Sequence, residues 1–189
     1  LEMLENFNPC FVLDLTATPK KESNIISYVD AVQLKNEHMV KLPVIVYNRD
    51  SQYEVLIDAI DLRNKLEEIA SAEYAKTGKY IRPIALFQAQ PKGKEDATTF
   101  EKLRDKLVDA GIPAEQIAIR TADVNELKNT DLMSPSCPIR YIITVNALKE
   151  GWDCPFAYIL ASLANKTSQV DVEQILGRIL RLPHTSQHT

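Results

Sequence analysis

Glycine is scarce in this sequence: five residues in 189, at positions 78, 93, 111, 151 and 177. None of them builds the loop G-x-x-x-x-G-K-[ST], whose backbone N–H groups cradle phosphates, and no G-x-G-x-x-G turn follows a candidate strand. Lys79 and Lys94 each follow a glycine, but the rest of such a loop is missing around both, so they read as surface turns. A D-E-x-[DH] metal-binding run is absent too, and no carboxylate-lysine grouping of a nuclease is visible. The three cysteines, Cys10, Cys137 and Cys154, form no CxxC pair and are too few for a disulfide framework, which points to a reducing compartment. His38, His184 and His188 share no ligand spacing with them, so no metal site is assigned. Basic residues do not predominate: 22 Lys and Arg stand against 26 Asp and Glu, for a net charge of -4. That balance excludes a non-specific nucleic-acid coat, and any nucleic-acid contact must be local. The longest apolar stretch, Ala157 to Ala164, falls far short of the roughly 20 residues a membrane helix needs. Residues Leu1 to Asn6 lack the basic start of a secretion signal. A cytoplasmic protein with no membrane partner is expected.

What is present is an ordinary globular composition, 45% hydrophobic and 25% charged, long enough for one well-buried α/β domain. Cys10 to Leu15 reads as a strand running into the turn Thr16-Ala-Thr-Pro19. A short helix is expected over Asp30 to Glu37 and a strand over Leu42 to Tyr47. Ser51 to Lys76 carries Tyr53, Leu56, Ile57, Ile60, Leu66, Ile69 and Tyr74 at helical spacing, which predicts a long helix with an apolar stripe against the core, stopped by Gly78. From residue 83 the rhythm alternates. Strands are predicted at Ile84 to Gln88, Ile117 to Arg120, Tyr141 to Val145 and Tyr158 to Ala161. A helix over Ala97 to Ala110, with Phe100, Leu103 and Leu107 inward, ends at Gly111-Ile-Pro113. Such alternation implies a mostly parallel sheet with helices on both faces.

Chemistry concentrates between residues 144 and 181. On a helix over Gln169 to Arg181, started by Ser168 and Asp171, the side chains of Gln174, Arg178 and Arg181 fall within about 60° of one another. Val172, Ile175, Leu176 and Ile179 take the opposite side. Arginines on a core-anchored helix suit a polyphosphate, because guanidinium forks bind phosphate oxygens without losing charge. Before that helix, the buried strand ending at Val145 runs into a loop with Gly151 and Asp153, which puts a carboxylate near a strand's carboxyl end, where open α/β sheets bind ligands.

These segments carry a resemblance. Thr144 to Pro155 resembles motif V, and Gln174 to Arg181, as Q-x-x-G-R-x-x-R, resembles motif VI of superfamily 2 helicases and translocases. In the same order, Leu15 to Pro19 resembles motif III and Pro83 to Ala89 resembles the motif IV strand. The wording K-E-G-W-D-C-P and the long insertion between motifs III and IV are most similar to the helicase (Res) subunits of type III restriction enzymes. The resemblance implies an α/β, RecA-like three-layer domain with a mostly parallel sheet over residues 81–183. It would be preceded by a remnant of a first RecA-like domain (1–19) and a connecting segment with a long helix (20–80), and followed by a frayed tail (184–189). It also implies an ATP-dependent motor acting on DNA, with ATP and Mg²⁺ held mainly by an upstream RecA-like domain of the same polypeptide; the absent phosphate-binding loop and the start at Leu1 agree with a fragment inactive alone. A DNA-methyltransferase subunit is a further implied partner. Arg178 and Arg181 would act as arginine fingers, while Gln174, Gly151 and Asp153 contact the nucleotide. Thr144 and Gln88 would touch nucleic-acid phosphates, and Thr16 and Thr18 would couple nucleotide state to domain closure. Trp152, larger than the residue usual there, is expected to pack between domains. A motor-derived adaptor that binds DNA or a partner without ATPase activity is the alternative.

Overall fold

A computed structural model describes residue 6 and residues 8–13, 15, 24–41, 43–91, 98–145, 154–163 and 179–183. Its centre is a four-stranded sheet made of β1 (Ile84–Gln88), β2 (Ile117–Arg120), β3 (Tyr141–Thr144) and β4 (Ala157–Ser162), in the order β2-β3-β1-β4. All three neighbouring pairs are parallel, as expected. Both faces are covered, so β1 reads as an unbroken buried run rather than an alternating one.

Three helices are described: α1 (Ala31–Asn36), α2 (Gln52–Thr77) and α3 (Phe100–Asp109), with a 3₁₀ turn over Ala114–Gln116. Their starts follow from side-chain oxygens that satisfy the first unpaired N–H groups. Asp30 accepts from the Gln33 amide while Gln33 answers to the Asp30 amide, Ser51 accepts from Glu54, and Thr99 accepts from Lys102. Gly78 ends α2 in the left-handed region, at φ 71°, where a side chain would be strained.

One face of the sheet receives α2 and α3. Leu56, Ala59 and Ile60 of α2, with Leu103 and Leu107 of α3, pack on Phe87, Ile119, Tyr141, Ile143 and Ile159. Full burial of Leu103 and Leu107 contributes about 2 kcal/mol each. The other face carries Ile84, Leu86 and Ile142 against Cys154, Phe156 and Ile179, with Leu127, Leu132 and Met133 closing over them. Among the described residues, therefore, the long helices lie on one face, and the second is closed by the 127–133 segment and by Ile179. No helix among the described residues is long and apolar enough to cross a membrane.

Several expectations need correction. Residues 10–13 and 15 form no strand, and Phe11, Val12, Leu13 and Leu15 are exposed. Residues 43–47 form none either, with Ile45, Val46 and Tyr47 exposed. β-propensity alone does not make a strand: the main-chain groups need a partner ladder, and among the described residues neither run has one. The apolar stripe of α2 is only partly the buried one. Leu56 and Ile60 are buried, but Tyr53, Ile69 and Tyr74 are exposed, and Ala59, Ala70 and Arg63 take inward positions. Arg63 can be there because its guanidinium finds the Pro83 carbonyl, the Asn64 amide oxygen and the Glu67 carboxylate.

Candidate functional site

The four parallel strands end level. Arg120 is opposite Thr144, Thr144 opposite Gln88, and Gln88 opposite Ser162. Each is the last residue of its strand, so a row of four polar side chains crosses the carboxyl edge of the sheet. By the period of two along a strand, the row shares the face of Leu86 and Ile142, the face on which Ile179 packs. Sequence reasoning found the two central members, Thr144 and Gln88, and missed Arg120 and Ser162. The signal was present, since each closes an apolar run, but register across strands is not written in any one of them.

Hydrogen bonding differs along the row. The Ser162 hydroxyl donates to Gln88 Oε1 at 2.9 Å, which orients that amide. Thr144 is fully buried, yet its Oγ1 has no hydrogen-bond partner. An unsatisfied buried hydroxyl costs about 1–3 kcal/mol. The Nε of Arg120 is likewise buried without a partner. These two unsatisfied groups are neighbours across β2 and β3.

The amino end of the sheet is arranged otherwise. Arg63, Arg82 and Arg140 gather there, and each is held by several oxygens. Arg82 donates to the Ser134 carbonyl at 2.8 Å, to the Leu132 carbonyl and to the Tyr80 hydroxyl. Arg140 reaches Glu67 Oε1 at 2.9 Å and the carbonyls of Cys137 and Pro138. Burial lowers the pKa of Arg63 and of Arg140 from the ordinary arginine value. These guanidiniums are engaged internally and serve packing, although the Nε of Arg82 is itself buried without a hydrogen-bond partner.

Beyond the row, residues 39–41 meet residues 180–182. Val40 and Arg181 form an antiparallel bridge, the Lys41 amide donates to the Leu180 carbonyl, and the Leu182 amide donates to the Met39 carbonyl. Ile179 is helical, whereas Arg181 is exposed and belongs to this bridge. The helix expected to run to Arg181 ends before it, since Arg181 pairs with Val40 instead. Of the other expected site residues, Thr16, Thr18, Gly151, Asp153, Gln174 and Arg178, together with Trp152 and the Ser168–Asp171 helix start, lie outside the described residues.

A groove of about 340 Å³ runs between residues 43–47, α2 and the outer edge of β4, walled by Val44, Val46, Val55 and Ala161 among others. Another hollow, of about 320 Å³ and mixed polar and apolar lining, opens at the carboxyl end of β2, between Arg120, Asn125, Thr130, Leu132 and Cys154. No group of three or more His, Cys, Asp and Glu among the described residues could hold a metal ion. No family model, curated protein or solved structure matches this chain.

Proposed function

We propose that this chain is the second, RecA-like motor domain of an ATP-dependent DNA helicase or translocase, related to the helicase subunits of type III restriction enzymes. The observation that carries the reading is the level ending of the strands that bear motifs IV and V, with Gln88 directly opposite Thr144. A motor that tracks a phosphodiester backbone needs polar groups in a line at the carboxyl ends of adjacent strands, where such sheets bind ligands. Ile179 packs under the same face, so the end of motif VI and that row belong to one side of the sheet.

In this proposal Arg178 and Arg181 supply positive charge to the γ-phosphate across a cleft to an upstream domain. Their guanidiniums stay charged at any working pH and match phosphate oxygens geometrically. Asp153 accepts from a ribose hydroxyl, Gly151 leaves room for that approach, and Gln174 positions the nucleotide or the attacking water. Thr16 and Thr18 transmit the nucleotide state to closure. Mg²⁺ does not fit the described donor set of this chain, and the phosphate-binding loop is missing from its sequence. Both belong to the upstream half in this reading. DNA rather than RNA, and a methyltransferase subunit as partner, rest on the resemblance.

The test is ATP hydrolysis by the parent polypeptide, with and without duplex DNA, for the wild type and for Arg178→Ala. DNA-stimulated turnover should fall by about 10³ or more in the variant while the fold survives. Turnover near the wild-type value in that variant would sink the assignment. A wild type that binds DNA but turns over no ATP would favour the adaptor.

A further inference from the structure

We infer that Arg120 is a phosphate-binding residue of this chain, one that extends the nucleic-acid contact beyond Thr144 and Gln88 to the far edge strand β2. The inference rests on the nucleic-acid reading proposed above. It starts from a contrast between arginines. Arg63, Arg82 and Arg140, at the amino end of the sheet, each have carbonyl or carboxylate oxygens around them. The Nε of Arg82 is buried without a partner, as is that of Arg120 at the carboxyl end, but Arg82 is anchored through its other two nitrogens, whereas among the described residues no carboxylate is paired with Arg120. The buried Nε–H of Arg120 is destabilising in the folded chain, because it has lost water and gained no acceptor in exchange.

An anion would complete it. Arg120 lines an open hollow of about 320 Å³ whose other polar walls include the amide of Asn125 and the hydroxyl of Thr130. The one acidic side chain there, Asp131, already accepts from the Met133 amide at 2.9 Å. Thr144, the cross-strand neighbour of Arg120, has an unsatisfied hydroxyl at the same strand ends. Thr144 is fully buried and does not line the hollow, so Arg120 is the donor that a phosphate oxygen would meet at this end of the sheet, where ligands bind. With adjacent strands roughly 4.8 Å apart, the row from Ser162 to Arg120 follows a backbone laid across the sheet, and Arg120 holds its outer end. Arginine there gives affinity and register without reading sequence.

The test uses the 189-residue chain and a fluorescein-labelled single-stranded DNA oligonucleotide, with anisotropy followed across a salt series. Arg120→Gln is compared with Arg49→Gln, which removes the same charge from an exposed pair with Asp58. The expected result is an affinity about tenfold lower for Arg120→Gln, a salt slope reduced by about 0.7, and little change for Arg49→Gln. Arg120→Lys should recover part of the loss, and urea unfolding of Arg120→Gln should show no loss of stability. Equal affinity and slope in wild type and Arg120→Gln overturn the inference while leaving the nucleic-acid reading standing. A wild type that does not bind the oligonucleotide overturns both. Arg120-dependent binding of inorganic phosphate or ATP, not displaced by the oligonucleotide, overturns the inference by assigning the hollow to a free anion. A large loss of stability in Arg120→Gln overturns it as well, by giving Arg120 a structural role.

Discussion

The Lys41 ammonium stands 2.7 Å from the carbonyl oxygen of Ile179. The same Nζ donates to the Ala157 carbonyl at 2.7 Å and lies 4.2 Å from the centre of the Tyr158 ring. One side chain thus ties the start of β4 to Ile179, reinforcing the main-chain bridge between Val40 and Arg181. Loss of the ammonium leaves two half-buried carbonyls without that donor.

Lys41→Met, which keeps the aliphatic stem and removes the donor, is therefore expected to destabilise the chain by about 1–3 kcal/mol. Urea unfolding should show a lower midpoint with an unchanged slope. An unaltered midpoint would mean that solvent already satisfies both carbonyls.

Thr144 makes the opposite prediction. Its hydroxyl is buried and unsatisfied, so the near-isosteric Thr144→Val removes a cost and should stabilise the chain by about 1 kcal/mol. If Thr144 serves nucleic-acid binding, as proposed, oligonucleotide affinity should fall in the same variant. Gain in stability with loss of binding separates a functional strain from a packing defect; a variant that is less stable would refute the orphaned hydroxyl.

Tyr158 supplies a pH dependence. Burial, with the charge of Glu73 adding to it, pushes its phenol from the ordinary value of 10.0 up to about 12. A raised folded pKa favours the neutral form, so its contribution is fully present below about pH 10 and is lost as the pH climbs through about 12. Two pKa units correspond to about 2.7 kcal/mol at most. Wild type should lose more stability than Tyr158→Phe between those pH values, by about 2 kcal/mol in chemical denaturation. Parallel curves for the two proteins would show that the phenol ionises freely in the folded chain.

Much of the local structure was legible in the order of residues. The stop at Gly78 and the bounds of β1 and β2 follow from a left-handed turn and apolar runs, which act within a few residues; the helix expected from Ala97 starts only at Phe100, where the Thr99 side chain caps it. Parallel pairing followed from alternation of strand and helix. Non-local matters were decided by tertiary structure. Residues 10–15 and 42–47 have the composition of strands, but a strand exists only where another offers its ladder, and the described residues of these runs meet none. Arg63 looks like a surface residue until Pro83 and Glu67 come near it. Arg181 continues a helical pattern, yet Val40, distant in sequence, draws it into a bridge. The row Arg120, Thr144, Gln88 and Ser162 exists only because four strands end level. The period of two set which face each strand side chain takes; strand order and register, which depend on packing between distant segments, decided which polar groups became neighbours.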